Sequence, residues 1–238
     1  MSLRSWSARA GGWGAILLGL ASLSSPASGQ AGVPVRAEGI AALVGSSTAG
    51  GPAALLRTDV SLRARLALAG RATRLPVGPL PEALLAATLE ELIGEVLIVR
   101  EADRLRTTQP TVEEVEREQA RLELEAGGAD RVAALLSQVG AEPSEVAVIA
   151  RRRAYVQVFL RANLEGSTVV SDAQVQRVYE SEEHPFGGRP LEEVQDLLRA
   201  WIAQGALMRD VRRWVEVLRS RSTVQVLAEW AHASATPE

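Results

Sequence analysis

Cysteine is absent from the 238 residues. That excludes disulfides, thiol catalysis, zinc–cysteine sites and a lipid-modified N-terminal cysteine. Lysine is absent too, and every basic residue is an arginine; this reads as coding bias, not as a phosphate-binding signal. Aromatic residues make up only 4% of the chain. A core must therefore be built from Ala, Leu and Val, which favours packed helices over a sheet sandwich. His184 and His232 are the only histidines, and both sit in polar breaks, so a metal site needing several imidazoles is excluded. A formal charge of −3 lacks the basic excess of a nucleic-acid binder. What the chain does have is 47% hydrophobic residues, enough for one sizeable core or two small ones.

Long apolar runs are also missing. A short apolar run with no charge, Trp13 to Leu23, follows Arg4 and Arg9 and ends at Ser24-Ser25-Pro26. It is about a dozen residues, against roughly 20 for a membrane span. Ala27-Ser28-Gly29 then offers small residues where a signal peptidase cuts. Residues 1–29 match a secretory signal peptide with cleavage before Gln30; an uncleaved anchor is the alternative. After cleavage, no stretch is apolar for long enough to hold the chain in a membrane. The organisation expected is a flexible leader over 30–37, one helical domain over 38–230 and a disordered tail over 231–238.

Within that domain the dominant stretch is Leu84 to Leu105. Leu85, Leu89, Leu92, Ile93, Val96, Val99 and Ala102 repeat at a helical period. Leu97 and Ile98 widen the stripe, so this helix is expected to be covered on more than one side. Before it, Ile40 to Val44 reads as a short strand, Gly45 to Pro52 as a loop, and Leu55 to Ala69 as an amphipathic helix. After it, Thr111 with Glu114 forms a capping box and opens a helix to about Ala126, ended by Gly127-Gly128. Asp130 is placed to cap a short helix closed by Gly140. Pro143 and Ser144 open the next, and Ser171 with Gln174 starts another to about Glu183. His184 to Pro190 is a break, and a long helix follows from Leu191 to Arg221. Val224 to Leu227 alternates and reads as a strand. Neither terminal strand is stable alone, because its backbone groups would go unpaired. The fold class expected is mainly α, about six to seven helices, closed by a two-stranded pairing of Ile40–Val44 with Val224–Leu227.

In this order the segments resemble the helical chaperone domain of SurA-type periplasmic foldases. The central helix LEELIGEVLIVREADRL (Leu89 to Leu105) is similar to that family's pattern, as is the acidic helix TVEEVEREQARL after it. RRRAYVQVFLRANL (Arg151 to Leu164) resembles the family's arginine-rich helix. VVSDAQVQRVYES (Val169 to Ser181) resembles the segment leading into its prolyl isomerase module. That module does not follow. Only His184 to Pro190 separates the last two helices, whereas an isomerase domain needs on the order of 90 residues. The family's opening Asn-Gly turn is likewise replaced by a Gly/Ser loop. The resemblance implies a periplasmic chaperone-type domain without its enzyme.

No catalytic, cofactor or metal site emerges from the residues. Adjacent acids such as Glu90/Glu91 point about 100° apart on a helix and do not converge. Arg151-Arg152-Arg153 reads as a solvated face. No GxSxG or phosphate loop is present. What remains is apolar surface for unfolded polypeptide, with Leu92, Val96, Tyr155, Phe159, Trp201 and Met208 as candidate contacts. The expected partners are unfolded or partly folded exported polypeptides; a dedicated envelope partner bound by a non-catalytic adaptor is the alternative.

Overall fold

The computed structural model describes residues 39–45, 51–164, 169–181 and 183–231. The segments expected as signal peptide and leader, and residues 232–238 of the expected tail, lie outside the described residues. Among those described are strands β1 (Ile40–Val44) and β2 (Ala53–Leu56), then helices α1 (Arg57–Ala69), α2 (Glu82–Arg104) and α3 (Val112–Glu125). Helices α4 (Ala129–Val139), α5 (Pro143–Leu164), α6 (Asp172–Glu180) and α7 (Leu191–Ser220) follow, and β3 (Val224–Val226) leads into a 3₁₀ turn, Glu229–Ala231. The protein is mainly helical with one small antiparallel sheet.

The terminal strands do pair: Ala42, Leu43 and Val44 face Val226, Gln225 and Val224, antiparallel. The sheet nevertheless has three strands, in the order β2-β1-β3, and not two. Ala53–Leu56, of which Leu55 and Leu56 were expected to open the first helix, pairs with β1 through a register shift between Ile40 and Ala42. Ala and Leu favour a helix locally, but the second edge of β1 needs a partner, and pairing overrides that weak preference. Helix α1 therefore begins after Leu56, whose N–H donates to the Asp59 carboxylate at 3.1 Å.

Two apolar clusters form the interior. The larger joins the sheet, Val60 of α1, most of α2, the second half of α5 and the second half of α7. Helix α2 is covered on several sides, with Leu89, Ile93 and Ile98 fully buried. The smaller cluster joins Leu62, Leu66 and Ala69 of α1, Leu122 and Ala126 at the end of α3, Leu135 and Leu136 of α4, and Val146 of α5. Both α1 and α5 thus run from one cluster into the other. Helix α6 packs on the first half of α7, where Val175, Val194 and Leu198 are buried.

Most helix boundaries follow their caps. Thr111 accepts from the Glu114 N–H and Glu114 returns a carboxylate to the Thr111 N–H. Ser171 and Gln174 do the same for α6, which stops at Glu180, short of the expected Glu183. Asp130 does not cap α4; Gly128 occupies that position and Asp130 lies in the first turn, where its charge meets the helix dipole.

Candidate polypeptide-binding surface

A shallow groove of about 300 Å³ opens between α3, α4 and the start of α5. Its floor is apolar, with Val132, Leu136 and Val146 at the base, and Gln119, Glu123 and Ser137 stand on its rim. Local sequence makes the concavity. Gly127 and Gly128 take φ of 96° and 109°, which a side chain resists, and so turn α4 back along α3. Gly140 ends α4 in the left-handed conformation, and Ala141 and Pro143 then carry the chain along the groove wall into α5. From α4, the Arg131 guanidinium donates to the carbonyls of Ala69 (2.8 Å) and Ala72 (2.6 Å), fixing α4 to the end of α1.

None of the six candidate contacts lines this groove. Leu92, Val96, Tyr155 and Phe159 lie in the larger core and present almost no surface. Phe159 is fully buried, its ring 4.9 Å from that of Trp214. Tyr155 donates its hydroxyl to Asp103 at 2.9 Å, joining α5 to the end of α2. Burial first, and that bond to a carboxylate second, push its phenol up to about 12. The helical period that marked these four reports the face turned to the core, and their large side chains fill it. Trp201 and Met208 behave differently. Trp201 is 43% exposed, and from Trp201 to Met208 no residue of α7 is fully buried. Leu207 within this stretch still packs against the larger cluster. The structure therefore separates the candidates into four core anchors, a half-buried Met208 and an exposed Trp201.

The polar residues of the break after α6 hold the turn itself. His184 stacks on Tyr179 and Phe186. Its Nδ1 accepts from the Phe186 N–H at 3.1 Å, so its Nε2 carries the proton and donates to the Tyr179 carbonyl at 3.2 Å. Among the described residues no group of three or more His, Cys, Asp or Glu is placed to hold a metal ion. Nor is any described helix long and apolar enough to cross a membrane.

Between the two apolar clusters lies a seam of charge that the sequence did not announce. Arg63 of α1 pairs with Glu95 of α2 at 2.7 Å, both nearly buried. Arg153 of α5 pairs with Glu118 of α3 at 2.6 Å and reaches Glu125 at 3.2 Å. Arg121 bonds Glu125 at 3.0 Å. Arg153 is thus an interior cation and not part of a solvated face. Glu90 and Glu91 do diverge, as helix geometry requires: Glu90 meets Arg219 of α7, while Glu91 turns into the seam. Burial pushes the Glu91 carboxyl up to about 7; Glu95 adds to this, and Arg63 and Arg153 oppose it. The usable signal was an i, i+4 pair of acids, Glu91 and Glu95, inside a helix whose buried face is otherwise almost wholly apolar.

Compared with protein-family models and with curated protein sequences, the chain matches none.

Proposed function

We propose that the protein is an exported, SurA-like binding domain that holds unfolded or envelope-bound polypeptides without isomerising them. The observation that carries this reading is the groove on α3, α4 and α5, concave, apolar at its floor and polar at its rim. Such a surface takes up apolar side chains with little demand on sequence, as a holdase requires. The resemblance of the α2, α3 and α5 segments to the SurA-type helical domain agrees with it. So does the brevity of the segment where that family carries its isomerase.

The test uses the mature chain, residues 30–238. It should suppress aggregation of a reduced, unfolded model protein and leave prolyl isomerisation at background. Replacing the exposed groove residue Ser137 by Trp fills the groove and should weaken binding roughly tenfold, the loss of about 1.4 kcal/mol. No suppression by the unsubstituted chain would end the holdase reading, and isomerisation above background would end the non-catalytic one.

A second reading rests on the exposed Trp201 of α7. One large ring at the surface of a helix suits a single folded partner better than many extended ones. In that case Trp201→Ala, and not Ser137→Trp, abolishes capture of a stoichiometric envelope partner.

A further inference from the structure

Helix α7 carries an unmatched cationic face. Its core side is marked by Leu207, Val211, Trp214 and Leu218, which pack in the larger cluster. Trp201, Gly205, Arg209 and Arg212 recur at steps of four, four and three residues and so line up along a different side of the helix. Trp201 is exposed, as are Arg209, Arg212 and Arg213 beside it. Gly205 links the ring to the charges. Glycine is unfavourable inside a helix, and what it offers here is room: a Cβ at this position would lie 3.4 Å from Arg209 Nη1. The Arg209 guanidinium thus folds back along α7, toward the turn that holds Trp201.

Elsewhere on α7 the arginines are matched. Arg199 meets Asp172 and Asp196, and Arg219 meets Glu90. Arg209, Arg212 and Arg213 have no ion pair or hydrogen bond among the described residues, although Asp210 and Glu216 share their helix. A chain of net negative charge therefore gathers three unmatched cations within one short stretch, next to an exposed indole.

We propose that this face of α7 docks the protein on an anionic phospholipid surface. An indole is accommodated at headgroup depth, where its ring meets the apolar layer and its N–H meets water. The arginine stems lie along that layer while their guanidiniums donate to phosphates. The way these arginines are held favours lipid over an acidic protein. A site built for one partner's carboxylates fixes its guanidiniums in advance, as Arg63 and Arg153 are fixed in the interior. Arg212 and Arg213 have no such support, and headgroups that move to meet a cation do not need it. The attachment is peripheral, with the helix lying on the surface. It is also separate from the groove, which is built from α3, α4 and α5.

Co-sedimentation of the full mature chain with vesicles tests this. Vesicles of equal parts phosphatidylglycerol and phosphatidylcholine should bind it at low salt and release it at high salt, and phosphatidylcholine alone should not bind it. Each arginine near an anionic surface is worth roughly fivefold, so Arg212→Gln with Arg213→Gln should weaken binding by at least about tenfold. Arg71→Gln with Arg74→Gln removes the same charge from exposed positions after α1 and should change binding less than about twofold. Trp201→Ala should weaken binding and remove the blue shift of tryptophan emission that accompanies it. The arginine variants delete no ion pair among the described residues, so their thermal unfolding should match that of the unsubstituted chain. No binding to the anionic vesicles, or equal losses in the two arginine pairs, overturns the proposal. Binding of polyglutamate in place of the vesicles, lost in the Arg212 and Arg213 variant, also overturns it and gives the face to an acidic protein.

Discussion

Gly70 illustrates how a single atom can set the separation of two helices. Its backbone has ordinary right-handed angles, so no conformational need explains the glycine. The reason is space: a Cβ at Gly70 would lie 1.8 Å from the Glu125 carbonyl oxygen at the end of α3. Backbone cannot swing aside as a side chain does, so Gly70→Ala should cost about 1–3 kcal/mol or more in chemical denaturation. Gly78→Ala, where nothing lies within 4 Å, should stay within about 0.5 kcal/mol. In the sequence Gly70 is only the residue that follows the helix expected over Leu55 to Ala69. That it touches a residue far along the chain is a fact of tertiary packing, which no local pattern encodes. Glu91 is the same lesson in electrostatics: its neighbour Glu90 has the same type and the same helix, yet one is paired at the surface and the other is held inside.

For whole elements, local chemistry was more informative. The capping boxes at Thr111 and Ser171 lie where the spacing put them, because a cap satisfies orphan N–H groups within one turn and needs no distant partner. Thr111→Ala should cost about 1 kcal/mol, measured by thermal unfolding, and should lower protection at the first turn of α3 without altering α7. Strand β2 is the opposite case. Its four residues, Ala53–Leu56, carry a helical preference and become a strand only because β1 is beside them. Periodicity found the buried faces of α2 and α5, and for that reason the four candidate contacts it marked there, Leu92, Val96, Tyr155 and Phe159, lie in the core. Concavity depends on how α3, α4 and α5 are set against one another, and the sequence held only its hinges, Gly127-Gly128 and Gly140.

At the scale of the molecule, the helices are enclosed between two ends that meet on one small sheet. Strand β1 is its centre, flanked by residues close by in the sequence on one side and by residues far along the chain on the other. This closure was legible because two short strands had nothing else to pair with. The division of the interior into two clusters joined by charge was not, since it depends on which side chains of α1 and α5 face each way. The antiparallel register has a further consequence under load. Residue 39 precedes β1 and residue 227 follows β3 at the same end of the pair, where the Ala41 carbonyl accepts from the N–H groups of Leu227 (2.8 Å) and Ala228 (3.1 Å). A pull between these two points bears on those bonds first and then on the rest in succession, as in opening a zip, and never on all of them in parallel. In single-molecule stretching from residues 39 and 231, β3 should peel away at low force before α2 or α5 yields. Tethering instead at residues 44 and 231, where the strands must slide past one another, should raise the rupture force.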